Sequence, residues 1–364
     1  TRKESSAASD VYKRQIIMNA KSILALLPIA AAITGCSSDS DSTAPADMQS
    51  IQFSVTVPNA PRTVTTTASI NTFTTWAFTG GKPYMSNVQV VKNALNQWTY
   101  SPTAYWPADS LLNFYSYSPA IETSKPVTAD SPDIPDFTSP GDIDLLYGVN
   151  MNVSGKTDKQ VQINFRHALS QIRFYIRKQP ASVSGREIAV KVSDIRVMNV
   201  ATTGSFNFPR ETTSGTPTPG TMGEWVTTTD NNDIAIFTNS EADLGDEFAE
   251  YQNSGNIFAI PQELAVTEAT AVTYSGSYIR VLCKITDPTT GVTIWPSSSD
   301  PNYISPENGG YIVFPLATEA GTAWELGNAY RYNLTVGVPS STSRIEFDVT
   351  VDDYPNFDEI DVEN

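Results

Sequence analysis

Short segments in which apolar and polar residues alternate strictly constrain this chain more than any other feature. Such alternation places one face of a β-strand on a core and the other face in water. It occurs at 51–57, 172–176, 332–338 and 345–351, and in 188–200 it slips at Ser193 and Asp194, which predicts a β-bulge. No segment keeps an apolar period of 3.6 residues over three turns. Together with the many Thr, Tyr and Val residues, this predicts an all-β protein of antiparallel β-sandwiches.

The length of 364 residues suggests about two domains. The polar tract 179–185 separates a block at 48–180 from a block at 186–364, each of the size of one sandwich. Two further tracts, 133–142 and 211–223, are rich in Pro, Gly and polar residues and are interpreted as surface loops.

Charge and rare residues argue against several classes of function. The net charge is −16, whereas nucleic acids and anionic lipids need a basic surface. One His and two Cys residues exclude a His-rich metal cluster and a disulfide scaffold. We find no coherent set of acid, base and nucleophile, so we expect no enzyme, no catalytic residue, no metal and no cofactor.

Single reactive residues have structural interpretations. His167 is flanked by strands and is expected to be a hydrogen-bonded residue at a strand corner. Cys283 shares one strand face with Ile279, Val281 and Ile285 and is expected to be buried. Acidic pairs such as Asp142 and Asp144 are interpreted as solvated loop carboxylates, because no calcium-loop spacing surrounds them.

The segment 18–35 has the features of an export signal. Met18 and Lys21 precede an uncharged apolar run at 23–33, which is too short to span a bilayer. The run ends in Ile33-Thr34-Gly35-Cys36, which resembles the bacterial lipobox and implies a lipid on Cys36. Residues 36–47 would form a flexible leash, and residues 1–17 are expected to be a non-native extension.

A series of motifs in fixed order carries a family resemblance. The series reads YWP at 105–107, FYSYSP at 114–119, LLYG at 145–148, FRHALSQI at 165–172, IPQEL at 260–264 and WELGNAYRYNLTV at 324–336. It resembles the fimbrillins, the lipoprotein-derived type V pilins of the Bacteroides group. The resemblance implies two tandem transthyretin-like β-sandwich domains. It also implies a structural subunit of an adhesive fimbria, which is first an outer-membrane lipoprotein at the cell surface and then part of an extracellular filament.

The resemblance further implies assembly by strand exchange between copies or related pilins, with no nucleic acid as partner. A trypsin-like protease removes the first strand, and a neighbour's C-terminal strand fills the groove. Arg62 is the first basic residue after Cys36, so cleavage is expected between Arg62 and Thr63. The removable strand would use Ile51, Phe53, Val55 and Val57, and the donor strand would use Ile345, Phe347, Val349 and Val351.

Three points stay open on the sequence alone. The donated segment could continue through Tyr354 and Phe357 to Val362, so either half of the tail could insert. The subunit could instead be a tip adhesin or a lipid-bound anchor of the same pilus. Aromatic residues around Trp98 and Trp106 could serve a surface glycan-binding lipoprotein, although we expect them to fill the first core and its rim.

Overall fold

The computed structural model describes residues 49–57, 69–121, 127–139, 143–214, 218, 220–228, 232–252, 257–269, 274–339 and the backbone of 347–353. These residues confirm the expected all-β fold. Within these ranges, no helix combines the length and the apolar character needed to span a bilayer.

In chain order, the first strands are β1 (Phe53–Thr56), β2 (Thr72–Thr79), β3 (Lys82–Lys92), β4 (Trp98–Thr99), β5 (Leu112–Ser118), β6 (Asp133–Thr138), β7 (Leu146–Val153), β8 (Val161–Asn164), β9 (Arg166–His167) and β10 (Ser170–Lys178). After the short helix α1 (Ala181–Ser184) come β11 (Ala189–Val200), β12 (Thr203–Asn207), β13 (Glu224–Thr227), β14 (Asn232–Phe237), β15 (Ala242–Asp243), β16 (Ala249–Glu250), β17 (Ile257–Ala259) and β18 (Gln262–Glu263). The last strands are β19 (Glu268–Ala269), β20 (Tyr274–Ser275), β21 (Tyr278–Thr286), β22 (Thr293–Trp295), β23 (Tyr303–Ser305), β24 (Gly309–Pro315), β25 (Ala323–Trp324), β26 (Asn328–Val336) and β27 (Phe347–Asp353).

The N-terminal half is built around an antiparallel sheet in the order β4-β3-β2-β5-β7-β9. Both faces of this sheet are covered, because buried apolar side chains point to either side of β2 and β5. On one face, β1 and β8 enclose a core that includes Phe73, Phe114 and Phe165. On the other face, strands β6 and β12 cover a second core that includes Tyr117 and Tyr147.

The C-terminal half is a sandwich of two sheets. One sheet has the order β16-β10-β26-β27, with β17 also paired to β10, and the other has the order β14-β11-β21-β24-β23. Alternate residues of both sheets meet in one core, where Phe174 of β10 stacks on Tyr332 of β26 with ring centroids 5.4 Å apart. The bulge predicted at Ser193 is confirmed by a register shift between Val192 and Asp194 against β21.

The two halves share strands across the predicted linker. Helix α1 lies within the predicted break, but β10 before it belongs to the C-terminal core. Conversely, β12 after it pairs with β6 and contributes Phe206 to an N-terminal core. Residues Asp47–Asn364 form one compact unit, so the division into domains at 48–180 and 186–364 stays a prediction.

Two loop predictions had different outcomes. The segment 133–142 was expected to be a loop, but Asp133–Thr138 forms β6, whose Ile134 and Phe137 are buried. Burial of the apolar side chains in this tract favours a strand, although its Pro residues favour a loop. In the second tract the described residues 211–214, 218 and 220–223 carry no strand, and the Arg166 guanidinium donates hydrogen bonds to the carbonyls of Ser214 and Thr221.

Candidate functional site

Strand β1 is held to the protein mainly by its apolar side chains. Ile51, Phe53 and Val57 are 1%, 3% and 2% exposed, and they belong to the core under the six-stranded sheet. The alternate residues Gln52 and Thr56 are exposed. The alternation predicted for 51–57 is therefore present, with one face on the core and one in water.

Phe53 is surrounded by other aromatic rings. Its ring centroid lies 5.6 Å from that of Phe73, 5.5 Å from Tyr100 and 6.0 Å from Phe114, all in edge-to-face geometry. Such pairs add to the free energy of burial beyond the area covered. This aromatic cage makes Phe53 the largest anchor of the strand.

The backbone of β1 pairs with one short strand. It runs parallel to β8, with Phe53 opposite Val161 and Thr56 opposite Asn164. The Val161 N–H donates to the Gln52 carbonyl and the Phe165 N–H donates to the Thr56 carbonyl, each at 2.8 Å. In a parallel ladder this pattern directs the backbone groups of Phe53 and Val55 away from β8.

The other edge of β1 carries side-chain contacts in place of a strand. Among the described residues, no strand pairs with this edge. The Tyr100 hydroxyl donates to the Ile51 carbonyl at 2.7 Å, and Gln160 Nε2 donates to the Phe53 carbonyl at 2.8 Å. Just before β1, the Ile51 N–H donates to the Ala104 carbonyl at 2.9 Å. These hydrogen bonds involve backbone atoms of Ile51 and Phe53, so they do not depend on which side chains the segment carries.

A surface groove of about 930 Å³ runs along this free edge. Its walls include residues 50–55, which overlap the start of β1, and Trp98, Tyr100 and Gln160. Among its described lining residues, Lys92 is the charged one, and its Nζ lies 4.9 Å from the centroid of the Trp98 ring. Burial raises the pKa of Tyr100, so the hydroxyl keeps its proton for the Ile51 carbonyl well into the alkaline range.

The predicted donor segment lies at an edge of the C-terminal sandwich. The backbone of β27 pairs antiparallel with β26, from Phe347 opposite Leu334 to Asp353 opposite Asn328. Val349 and Val351 lie within this strand, whereas Ile345 is outside the described residues. The predicted lipidation site Cys36 and the predicted cleavage site at Arg62 and Thr63 also lie outside them.

The structure also places the residues that were given structural interpretations. His167 is buried in β9, and its Nδ1 lies 2.9 Å from Oδ1 of Asp144. The interpretation of Asp144 as a solvated carboxylate is therefore wrong, because the buried imidazole provides its partner. Cys283 is fully buried, as expected, and burial raises the pKa of its thiol far above the usual range.

Sequence reasoning missed the side chains that hold the β1 backbone. Tyr100 and Gln160 donate to the carbonyls of Ile51 and Phe53 from about fifty and one hundred positions further along the chain. A polar side chain that hydrogen-bonds a distant backbone leaves no periodic pattern. The aromatic residues, by contrast, lie as expected: Trp106 and Phe114 are in the core under β1, and Tyr115 and Tyr117 are on the opposite face.

A comparison with the sequence profiles of protein families identifies the family of this chain. The sequence profile of the fimbrillin-like family matches residues 52–353, which is most of the chain. The chain belongs to the fimbrillin-like family. The matched region starts one residue before β1 and ends with the last residue of β27, so it contains both strands.

Two solved structures are similar to this chain. A fimbrial protein from Bacteroides vulgatus is 14% identical and superposes with a TM-score of 0.57, over 84% of this chain and 99% of that one. A fimbrilin from Porphyromonas gingivalis is 10% identical, with a TM-score of 0.43 over 83% of this chain and 96% of that one. No curated protein matches the sequence. The first of these similarities supports a shared fold.

Proposed function

We propose that this chain is a structural subunit of a cell-surface fimbria that polymerises by exchange of its first strand. The observation that carries the proposal is β1 itself. Its apolar side chains are buried in a core, but its backbone pairs with β8 alone among the described strands. Removal of such a strand opens a row of pockets and an unpaired edge without breaking the six-stranded sheet.

Export and maturation complete the proposal. The precursor would carry a lipid on Cys36, which holds it at the outer membrane. A trypsin-like protease would then cut between Arg62 and Thr63. This cut separates both the lipid and residues 51–57 from the rest of the chain, since both precede Arg62. One cleavage would therefore release the subunit from the membrane and open its acceptor site.

The positions of donor and acceptor fit an open filament. The acceptor site lies in the N-terminal core, whereas the tail lies at the edge of the C-terminal sheet beside β26. A contact between two different surfaces of the same molecule is head-to-tail and adds further copies without closure. Similarity to a fimbrial protein of known structure supports this role for the fold.

Limited proteolysis of the full chain tests the proposal. Trypsin also cuts after Arg344, which directly precedes Ile345, so the test uses a chain with Arg344→Gln to keep the tail attached. Trypsin treatment of this chain should produce a new N-terminus at Thr63 by mass spectrometry, a ladder of oligomers that resists SDS, and filaments in electron micrographs. An Arg62→Gln variant is the matched control and should stay monomeric. A product that is cut at Arg62 and stays monomeric would contradict the proposal.

A further inference from the structure

The tail contains a near copy of the first strand. Residues 51–57 read IQFSVTV and residues 345–351 read IEFDVTV, so the two segments differ at two positions. Both differences fall on the polar face, where Gln52 and Ser54 correspond to Glu346 and Asp348. The apolar face, Ile-Phe-Val-Val at alternate positions, is the same in both.

The conserved face is the one that the core around β1 requires. Ile51, Phe53 and Val57 are buried there, and the cage of Phe73, Tyr100 and Phe114 holds a phenyl ring. A copy placed in the same register supplies the same side chain to each pocket. The core under β1 would then be refilled without a cavity or an overpacked position.

The register is fixed by the position of the phenylalanine. A slip of one residue would turn the carboxylates of Glu346 and Asp348 into the core. A slip of two residues would place Ile345 or Val349 in the aromatic cage and move Phe347 into a smaller pocket. In-register replacement is therefore the arrangement that satisfies every pocket.

The second half of the tail does not meet these requirements. Residues 354–362 read YPNFDEIDV, and in either strand register at least one of Asp358, Glu359 and Asp361 would face the core. Of the two halves of the tail, 345–351 is the one that fits the β1 site.

The surroundings of Gln52 and Ser54 can accommodate the residues Glu346 and Asp348 that replace them. Gln52 is exposed in a groove that Lys92 also lines, so a carboxylate at this position would face water. Ser54 hydroxyl donates to Gln162 Oε1, while Gln162 Nε2 donates to the Thr56 hydroxyl at 2.6 Å. Rotation of the Gln162 amide by 180° would let Nε2 donate to Asp348 and Oε1 accept from Thr350, so both hydrogen bonds would be kept.

We propose that residues 345–351 of a second copy of this chain occupy the β1 site in register, parallel to β8, with Phe347 in the cage of Phe53. This inference rests on the proposed strand exchange and specifies its donor segment, register and polarity. Tyr100 and Gln160 donate to the carbonyls of Ile51 and Phe53, so they would donate to the carbonyls of Ile345 and Phe347 in the same way. The donor segment fits the site because its sequence is nearly the same as that of the segment 51–57, which it replaces.

The same tail segment cannot be in both places. In the monomer, Phe347 to Val351 pair with β26 of their own chain. Donation therefore requires that β27 leaves β26, so amides of β26 that face β27 should lose protection from hydrogen exchange on polymerisation. Before cleavage, assembly is opposed both by the pairing of the tail with β26 and by the presence of β1 in the acceptor site.

A cross-linking experiment tests the register. Ser54 lies opposite Gln162 in the ladder, so Asp348 of a neighbour should lie there after exchange. A full chain with Arg344→Gln, which keeps the tail attached during trypsin treatment, carries Asp348→Cys and Gln162→Cys. Cut by trypsin and oxidised with copper phenanthroline, it should give a covalent ladder between copies. A Thr350→Cys and Gln162→Cys chain, also with Arg344→Gln, is the matched control for a slip of two residues and should give little ladder. The native thiols interfere little, since Cys36 precedes the cut and Cys283 is fully buried.

The outcomes separate the register from the polymerisation itself. Filaments with cross-links in the control pair, or in neither pair, would overturn the register and leave the proposed function standing. Absence of any polymer in either variant and in the chain with Arg344→Gln alone would contradict the proposed function instead.

A pair of alanine variants tests the donor segment without new thiols. Phe347→Ala should lower the equilibrium constant for polymerisation on the order of a hundredfold or more, because it empties the aromatic cage. Phe357→Ala should leave polymerisation nearly unchanged. The reverse order of effects would assign the donor to the second half of the tail and overturn the inference.

Discussion

Strands β1 and β21 both bury an alternating apolar face, but they are attached to the molecule in different ways. β21 pairs with β11 on one side and with β24 on the other, and Val281 and Cys283 are fully buried in the sandwich core. β1 pairs with β8 on one side, and its other edge faces a groove. Burial of side chains therefore does not by itself make a strand irreplaceable. The backbone pairing decides whether a strand can leave while its sheet survives.

Proline substitutions should show this difference with the largest effect. Val281→Pro removes a ladder hydrogen bond at the centre of a buried sheet, and we expect it to cost about 4 kcal/mol or more, enough to unfold the C-terminal half. Val55→Pro acts at a backbone N–H that points away from β8, and we expect a cost of about 1 kcal/mol. Denaturant unfolding followed by circular dichroism measures both. Equal losses would show that β1 is held as firmly as β21.

Phenylalanine truncations should separate local opening from global unfolding. Phe53→Ala and Phe314→Ala each remove a buried ring, at a cost of about 3–5 kcal/mol. For Phe314 in β24 the loss should appear in the global free energy of unfolding. For Phe53 it should appear mainly as detachment of β1, seen as loss of hydrogen-exchange protection in 51–57 and faster cleavage after Arg62. Protection of β1 that falls only together with that of β21 would contradict this distinction.

Alkaline pH should weaken β1 through Tyr100, with a smaller effect. Burial raises the pKa of Tyr100 above its ordinary value of 10.0, so the unfolded chain loses this proton first. The contribution to stability is therefore complete below pH 10 and is lost as the pH rises through the raised value. Tyr100→Phe removes the donor to the Ile51 carbonyl and should weaken β1 by about 1 kcal/mol at neutral pH.

The pH profile of hydrogen exchange in 51–57 checks this prediction. In the Tyr100→Phe variant, protection of the strand should decrease less between neutral pH and the alkaline range than in the unmodified chain. Tyr147 and Tyr330 also have raised pKa values because of burial and remain in both proteins, so they form the common background. Parallel profiles in the two proteins would assign the alkaline effect to these other groups.

The sequence predicted which residues face a core but not which strands pair. Alternation correctly indicated strands around residues 51–57, 172–176 and 332–336, because burial of one face is a local pattern. It did not show that β1 and β8 run parallel, or that β6 pairs with β12 across about seventy residues of chain. Which strands pair depends on how all the strands fill the core. The alternating pattern of one segment is compatible with many partner strands.

The sequence predicted the buried side chains of the candidate site but not the hydrogen bonds to its backbone. The burial of Ile51, Phe53 and Val57 follows from their alternate spacing, and the structure confirms it. The Tyr100 and Gln160 hydrogen bonds depend on loops that approach β1 from elsewhere in the fold. The burial of Asp144 escaped prediction for a similar reason, since its His167 partner lies twenty-three positions further along the chain.

The central claim is that β1 must leave before subunits join, and a reversible lock tests it most directly. Ser54 and Gln162 are opposite each other in the parallel ladder, so a chain with Ser54→Cys and Gln162→Cys can be locked by oxidation. With Arg344→Gln added to protect the tail from trypsin, the oxidised protein should stay monomeric by size-exclusion chromatography after cleavage, and reduction should start polymerisation. Polymerisation at the same rate in the oxidised and reduced states would contradict the account.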